Sequence, residues 1–126
     1  MKIYTDGGTK DNGGENQESY VAVWAKNKIV VYKKIGNKTS NQSEYIALIE
    51  GLKWLKNEKP RKRNVFITDS KLMKQQIAFD WQIKTQHLKP LAKTARGLLH
   101  ETNSILKWRP REENKAGIYL EDSLGI

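Results

Sequence analysis

The sequence predicts an α/β domain built on a five-stranded mixed sheet. Three short β-rich runs come first with turn residues between them, a helix-length apolar pattern follows, and two further β-rich runs are separated by helical sequence. Strands joined by tight turns pair antiparallel, whereas a strand reached through a helix can pair parallel. We therefore expect the order β-β-β-α-β-α-α-β-α, with three antiparallel strands, two parallel strands and helices packed on the sheet.

The first part of the chain supplies the antiparallel strands. The predicted strands are residues 2–6, 19–25 and 29–35. The pair Gly7-Gly8, together with residues 11–14, predicts an extended turn after the first strand. Residues 26–28 predict a hairpin between the other two strands, because they separate two runs rich in Val, Tyr and Trp.

The remaining elements alternate between helix and strand. Ser40 or Ser43 can cap a helix in which apolar residues recur at helical spacing from Tyr45 to Leu55, and which ends near Asn57. The later predictions are a strand at 65–69, helices at 70–81 and 89–101, a strand at 105–108, a loop at 110–114 and a weak helix at 115–124.

Length and composition limit the function classes. The 126 residues fit one domain, residues 1–126, and 23 Lys and Arg against 14 Asp and Glu give a net charge of +9. Such a charge favours a polyanionic partner, nucleic acid first, although general solubility or nonspecific binding explains it too. Without cysteine the chain has neither disulfides nor thiolate metal sites, and no apolar run approaches the ~20 residues of a membrane span. We expect a soluble, cytoplasmic monomer with no membrane partner.

Three acidic residues carry the chemical prediction. Asp6 and Asp69 end β-rich runs and Glu44 opens a helix. Parallel neighbouring strands place their C-terminal ends side by side, so the two aspartates should meet, with Glu44 above them. Close carboxylates repel one another unless a cation is bound, and a hard oxygen set without Cys or a His cluster selects Mg²⁺ or Mn²⁺. We expect a pair of these ions, although singly Asp69 can be a helix cap and Glu44 can favour the helix dipole.

Four motifs, spread in order over the chain, resemble those of the ribonuclease H family, type 1, especially its short bacterial, archaeal and viral members. They are Tyr4-Thr5-Asp6-Gly7-Gly8, Thr39-Ser40-Asn41-Gln42-Ser43-Glu44, Ile67-Thr68-Asp69-Ser70 and Trp108-Arg109-Pro110-Arg111-Glu112-Glu113-Asn114. The resemblance implies a ribonuclease H-like fold with helices on both faces of the sheet. It also implies endonucleolytic cleavage of the RNA strand of an RNA/DNA hybrid with two metal ions, leaving 5′-phosphate and 3′-hydroxyl ends.

The resemblance also implies roles for individual residues. Asp6 would bridge the two ions, Glu44 would hold the ion near the leaving group and contact a 2′-hydroxyl, and Asp69 would hold the ion that carries the attacking water. The implied substrate-binding residues are Gly7, Gly8, Thr39, Asn41 and Gln42. The two glycines would let the backbone approach the RNA.

Two departures from the family pattern concern the last loop and helix. The family usually has a fourth carboxylate four residues after an Asn, but four residues after Asn114 stands Ile118. Asp122 is our first choice for the fourth metal ligand and Glu121 the second, and both can equally be solvated acids on a terminal helix. The loop also lacks the family's histidine, and Arg111 is the available substitute for contacting phosphate, although an arginine does not readily move protons at neutral pH.

The sequence leaves two other functions open. One is a noncatalytic or weakly active hybrid-binding module, and the other is a DNA nuclease of the same fold. Of the four tryptophans, Trp24, Trp54 and Trp108 are expected to pack in or near the core, and Trp81 is the one expected to touch a DNA backbone.

Overall fold

The computed structural model describes residues 1–11, 17–60, 62–78 and 83–125. Within these residues the strands are β1 (Lys2–Asp11), β2 (Gln17–Ala25), β3 (Lys28–Gly36), β4 (Asn64–Thr68) and β5 (Ser104–Trp108). The α-helices are α1 (Ser40–Asn57), α2 (Lys71–Ala78), α3 (Lys89–Glu101) and α4 (Lys115–Leu124), and short 3₁₀ turns lie at Gln86–Leu88 and Arg111–Glu113. None of the helices seen in these ranges is both long and apolar enough to cross a bilayer.

The sheet has the strand order β3-β2-β1-β4-β5. The pairs β1/β2 and β2/β3 are antiparallel, and the pairs β1/β4 and β4/β5 are parallel. The predicted mixed sheet is confirmed, and β1 lies at its centre, where the antiparallel part meets the parallel part.

The first strand is longer than its sequence predicts. The expected turn at Gly7-Gly8 is wrong, because these glycines continue the ladder opposite Val21 and Tyr20 of β2. The rest of that predicted turn, residues 12–14, falls outside the described ranges. The expected hairpin is confirmed: Lys26 and Asn27 have positive φ angles of 55° and 61°, as a two-residue type I′ turn requires.

Helix α1 begins one residue after a cap that the sequence reading missed. Thr39, rather than Ser40 or Ser43, is the N-cap. Its hydroxyl accepts a hydrogen bond from the Gln42 N–H at 3.1 Å, while the Gln42 side-chain oxygen accepts one from the Thr39 N–H at 2.9 Å. This reciprocal pair is a capping box. Ser43 instead donates its hydroxyl hydrogen to the Thr39 carbonyl.

Helices cover both faces of the sheet. Helices α1 and α3 cover one face with the larger core, and α4 covers the other with a smaller one that includes Ala22 and Leu120. The expected packing of Trp24, Trp54 and Trp108 is confirmed, since all three are half-buried. Trp81, the predicted DNA contact, lies outside the described residues.

Candidate active site

Two strand ends and one helix start bring the three predicted acids together. Asp6 lies on β1 and Asp69 directly follows β4, two residues beyond the parallel pair Tyr4 and Ile67. Glu44 stands in the second turn of α1. One carboxylate oxygen of each acid lies within 4.8 Å of the others, the only such group of acids among the described residues. The spatial prediction is therefore met, and each acid arrives from a different element of secondary structure.

Close packing of α1 on β1 sets the position of Glu44. The Glu44 Oε1 atom accepts a hydrogen bond from the Gly7 N–H at 2.8 Å. A Cβ at Gly7 would lie 2.3 Å from the carbonyl carbon and oxygen of Ser43, so only glycine fits here. Gly7 is thus required for helix packing, and its approach to RNA stays a prediction. A Cβ at Gly8 would make ordinary contacts on the α4 face of the sheet.

Asp6 is the least satisfied of the three acids. It is completely buried, and neither of its carboxylate oxygens has a hydrogen-bond partner among the described residues. Burial, followed by the negative charge of Asp69, raises the pKa of Asp6 to about 7, although the cation of Arg111 opposes this. An ionised carboxylate in this position needs a cation to compensate it.

The Glu44 carboxyl is under similar electrostatic pressure. Burial and then the charges of Asp6 and Asp69 raise its pKa well above the usual value, while the hydrogen bond from Gly7 lowers it. The raised pKa values of Asp6 and Glu44 favour the protonated carboxyls unless positive charge is added beside them. Their oxygens are the hard ligands that Mg²⁺ and Mn²⁺ prefer, so the donor set fits a divalent metal.

A guanidinium group already lies beside these acids. Arg111 Nη2 is 3.8 Å from Asp6 Oδ2, and Arg111 Nη1 is 3.8 Å from Asp69 Oδ2. The Arg111 Nε atom donates a hydrogen bond to Glu121 Oε1. The predicted phosphate-contacting residue is therefore also a counter-charge to the two aspartates, held in place by Glu121.

The two acids proposed for the fourth position lie in different places. Asp122 is exposed and lines a surface cavity with Trp24 and Tyr119, and it is not part of the three-acid group. Glu121 contacts Arg111, and its charge contributes to the raised pKa of Asp6. The structure therefore places Glu121, the second choice, beside Arg111 of the site, and places Asp122, the first choice, away from it.

At the counted position, α4 offers no carboxylate. Ile118 is 43% exposed, and the preceding Gly117 faces the acids: a Cβ there would lie 3.4 Å from Asp6 Oδ2 and 3.3 Å from Asp69 Oδ2. A larger residue at Gly117 would crowd both aspartates. The small residue keeps space beside them.

Asn114 ties the last helix to the acids, a role that the sequence reading missed. Its side chain is fully buried and donates hydrogen bonds to Asp69 Oδ2 and to the Thr5 carbonyl, both at 3.0 Å. Its side-chain oxygen accepts from the N–H groups of Ala116 and Gly117, which caps α4. An Asn before a helix predicts the cap, but not the contacts with residues distant in the chain.

A second missed feature lies beside Asp69. Lys71 Nζ is 4.6 Å from the centre of the Trp108 ring, and Trp108 Nε1 donates a hydrogen bond to the Asp69 carbonyl at 3.0 Å. These two side chains line a cavity of about 280 Å³ with Lys74 and Gln75. The cavity therefore places the positive charges of Lys71 and Lys74 on the Asp69 side of the site.

The polar residues predicted to contact substrate surround the start of α1. The capping box occupies the Thr39 hydroxyl and the Gln42 side-chain oxygen, so these two groups already have partners. Asn41 is exposed on the first turn. Thr39, Asn41 and Gln42 therefore lie near Glu44 in the chain, and the contacts of these three residues with substrate stay predictions.

This chain is similar in sequence and fold to several known proteins. The family model described as reverse transcriptase-like matches residues 16–120. EbsB of Enterococcus faecalis is 26% identical over 121 residues, covering 95% of this chain and 90% of that protein. The N-terminal ribonuclease H domain of Rv2228c from Mycobacterium tuberculosis is 28% identical with a TM-score of 0.75, covering 94% of this chain and 93% of that one.

A third relative was solved with nucleic acid. LC11-RNase H1, isolated from compost by a metagenomic approach, was determined in complex with an RNA/DNA hybrid. It is 26% identical to this chain with a TM-score of 0.71, and the match covers 90% of this chain and 88% of that one. The chain belongs to the reverse transcriptase-like family and is a member of the ribonuclease H family of enzymes.

Proposed function

We propose that this protein is an endonuclease that hydrolyses the RNA strand of RNA/DNA hybrids by a two-metal-ion mechanism, leaving 5′-phosphate and 3′-hydroxyl ends. The observation that carries the proposal is the buried carboxylate of Asp6, which lies between Glu44 and Asp69 and has no hydrogen-bond partner among the described residues. The hybrid bound by LC11-RNase H1 supports the choice of substrate.

Asp6, Glu44 and Asp69 are the residues that would hold the Mg²⁺ or Mn²⁺ ions. Such ions lower the pKa of water and neutralise charge on a phosphate. The chain's own groups fix the ligands: the Gly7 N–H orients Glu44, and Asn114 orients Asp69 through the hydrogen bond to its Oδ2 atom. Ordered ligands matter because orienting partners strongly affect metal affinity.

For the fourth ligand, the geometry supports Glu121 over Asp122. Glu121 is joined through Arg111 to both aspartates, whereas Asp122 lines a separate cavity. Arg111 would be released from the acids when metal enters. Its guanidinium would then be free to contact a substrate phosphate, which suits its planar set of donors.

Recognition of the hybrid would rest on backbone and sugar contacts. A hybrid presents 2′-hydroxyls on one strand only, and an A-like minor groove exposes them. Asn41 and the amide nitrogen of Gln42 would make such contacts near Glu44. Thr39 would contact a DNA phosphate, and Gly8 would lie beside the RNA. Lys71 adds a cation on the Asp69 side.

One assay tests this proposal against the other two functions. Labelled RNA/DNA hybrid, double-stranded DNA and double-stranded RNA are incubated with the protein in Mg²⁺, Mn²⁺ or chelator. We expect metal-dependent cutting of the hybrid's RNA alone, which is lost in Asp69→Asn and kept in the charge-matched Glu112→Gln. Cutting of DNA would instead assign a DNA nuclease, and hybrid binding without cutting would assign a binding module. A cytoplasmic location and a monomeric state stay predictions.

A further inference from the structure

A basic and aromatic cleft lies on the α4 face of the sheet, outside the three-acid group. Tyr4 of β1 and Trp24 of β2 stand directly opposite each other in the antiparallel ladder, so their side chains are neighbours on one face. They line a cavity of about 280 Å³ with Lys2, Lys26 and Lys115, and no acidic side chain lines it among the described residues. We call this cavity the Tyr4–Trp24 cleft.

Two of the three lysines in the Tyr4–Trp24 cleft have no carboxylate partner among the described residues. Lys26 forms an ion pair with Glu58. Lys2 and Lys115 are both exposed and make no ion pair within the described parts of the chain. Lys115 Nζ lies 5.6 Å from the centre of the Tyr4 ring. The cleft therefore combines uncompensated positive charge with the faces of aromatic rings.

A neighbouring cavity extends this surface along α4. It has a volume of about 250 Å³ and shares Trp24 and Lys115 with the first cavity. Its other lining residues are Tyr119, the 43% exposed Ile118, and Asp122, its one acid among the described residues. The aromatic surface thus continues beyond the Tyr4–Trp24 cleft, while the positive charge is concentrated at Lys2 and Lys115.

The cleft also lies close to the acids of the proposed active site. Tyr4 and Asp6 are two residues apart on β1 and face the same side, which separates them by about 7 Å along the strand. Lys115 directly follows Asn114, whose side chain donates a hydrogen bond to Asp69. A nucleic-acid strand leaving the acids along β1 would meet Lys115 and Tyr4 first and Lys2 next.

We propose that the Tyr4–Trp24 cleft binds a single-stranded nucleic-acid segment, with a base stacked on the aromatic side chains and phosphates contacted by Lys2 and Lys115. Aromatic faces accept any base, and lysines bind phosphates without reading sequence. The site goes beyond the proposed cleavage of hybrids, because it takes a strand that is not part of a duplex. An acidic peptide would satisfy the lysines but leave the rings without a stacking partner.

The charge contribution is tested by binding without metal, so that failure of cleavage does not affect the result. Fluorescence anisotropy measures binding of a labelled oligothymidylate in chelator to the double variant Lys2→Gln with Lys115→Gln. The control is Lys53→Gln with Lys93→Gln, which removes the same charge from exposed positions on α1 and α3. We expect at least about tenfold weaker binding in the cleft variant, within about twofold of wild type in the control, and a salt slope smaller by about 1.4 for two lost phosphate contacts. Equal weakening in both double variants would overturn the proposal.

The stacking contribution is tested at Trp24. Trp24→Leu keeps an apolar side chain but removes the ring face, so we expect binding about tenfold weaker, and Trp24→Phe should restore most of it. Thermal unfolding checks that each variant is folded. If Trp24→Leu does not fold, the two lysine double variants still test the proposal. Thymidine monophosphate is the second probe: if it binds as tightly as the oligonucleotide, the site takes free nucleotides and the single-strand assignment is wrong.

Discussion

Replacing Arg111 by Gln should strengthen metal binding while weakening the hold on hybrid. Its guanidinium nitrogens lie 3.8 Å from carboxylate oxygens of Asp6 and Asp69, two of the residues proposed to bind metal. A unit-charge pair at this distance is worth about 4 kcal/mol at an effective dielectric near 20. Because the Arg111 side chain is 44% exposed, screening by water reduces this to about 1 kcal/mol or less.

A bound divalent ion carries twice the unit charge, so the Arg111 guanidinium repels it about twice as strongly. Removing the guanidinium should therefore strengthen binding by about 1–2 kcal/mol, which is roughly tenfold in Kd. The gain depends on pH, since Arg111 lowers the pKa of Asp6, and the variant raises that pKa above about 7. The gain is largest at high pH, where Asp6 is ionised in both proteins. Near pH 6 the variant has more protons to displace, so its gain is smaller.

Titration of Mn²⁺, followed by the electron paramagnetic resonance of the free ion, measures the change in metal affinity and its dependence on pH. Arg109→Gln is the matched control, because Arg109 is an exposed arginine of the same segment whose guanidinium bonds the Trp108 carbonyl and not the acids. Hybrid affinity, measured at saturating Mn²⁺ with a hybrid that resists cleavage, should fall in Arg111→Gln and stay close to wild type in Arg109→Gln. Weaker Mn²⁺ binding in Arg111→Gln at pH 8.5, or an effect equal to that of the control, would refute this reasoning.

Three further predictions concern stability and the remaining acids. The pKa of Asp6 is about 7 in the folded protein against about 3.9 in the unfolded chain, so the free energy of unfolding of the metal-free protein should fall by up to about 4 kcal/mol between pH 4 and pH 7. Asp6→Asn should reduce this dependence on pH and unfold at a higher temperature than wild type at pH 8. Calorimetry that shows the same dependence on pH in both proteins would contradict this. Gly7→Ala should cost about 3 kcal/mol or more in urea unfolding because its Cβ meets backbone at 2.3 Å, while Gly8→Ala costs under about 1 kcal/mol; equal losses would show that the contact is relieved. Asp122→Asn should leave metal affinity and cleavage unchanged, whereas Glu121→Gln should alter both. The opposite result would make Asp122, and not Glu121, the better candidate for the fourth metal ligand.

The order of elements could be predicted because it depends on local periodicity. Helices α3 and α4 have the predicted bounds, since apolar residues at helical spacing and the flanking Asn114 define them locally. The length of β1 could not be predicted in this way. Two glycines in a row are typical of a turn, and only pairing with β2 shows that Gly7 and Gly8 continue the strand.

The N-cap of α1 could have been predicted from the sequence. Thr39 and Gln42 have the spacing of a capping box, but Ser40 and Ser43 offered competing hydroxyls. Choosing among them requires knowing which backbone N–H groups are free, and the structure supplies that. The error moved the cap by one residue or more without changing the helix.

The three acids of the site were predictable because strand ends and a helix start fix them. Their surroundings were not, since these depend on how the segment before α4 folds back over the sheet. The contacts of Arg111 with both aspartates, and of Asn114 with Asp69 and Thr5, join residues far apart in the chain. No pattern within the sequence specifies such contacts.

The most direct test of the metal site is anomalous scattering from crystals soaked in Mn²⁺. We predict manganese peaks at coordination distance from carboxylate oxygens of Asp6, Glu44 and Asp69, with Arg111 moved away from the two aspartates. Crystals of active protein that show no manganese at these three side chains, or show it only elsewhere, would contradict the account.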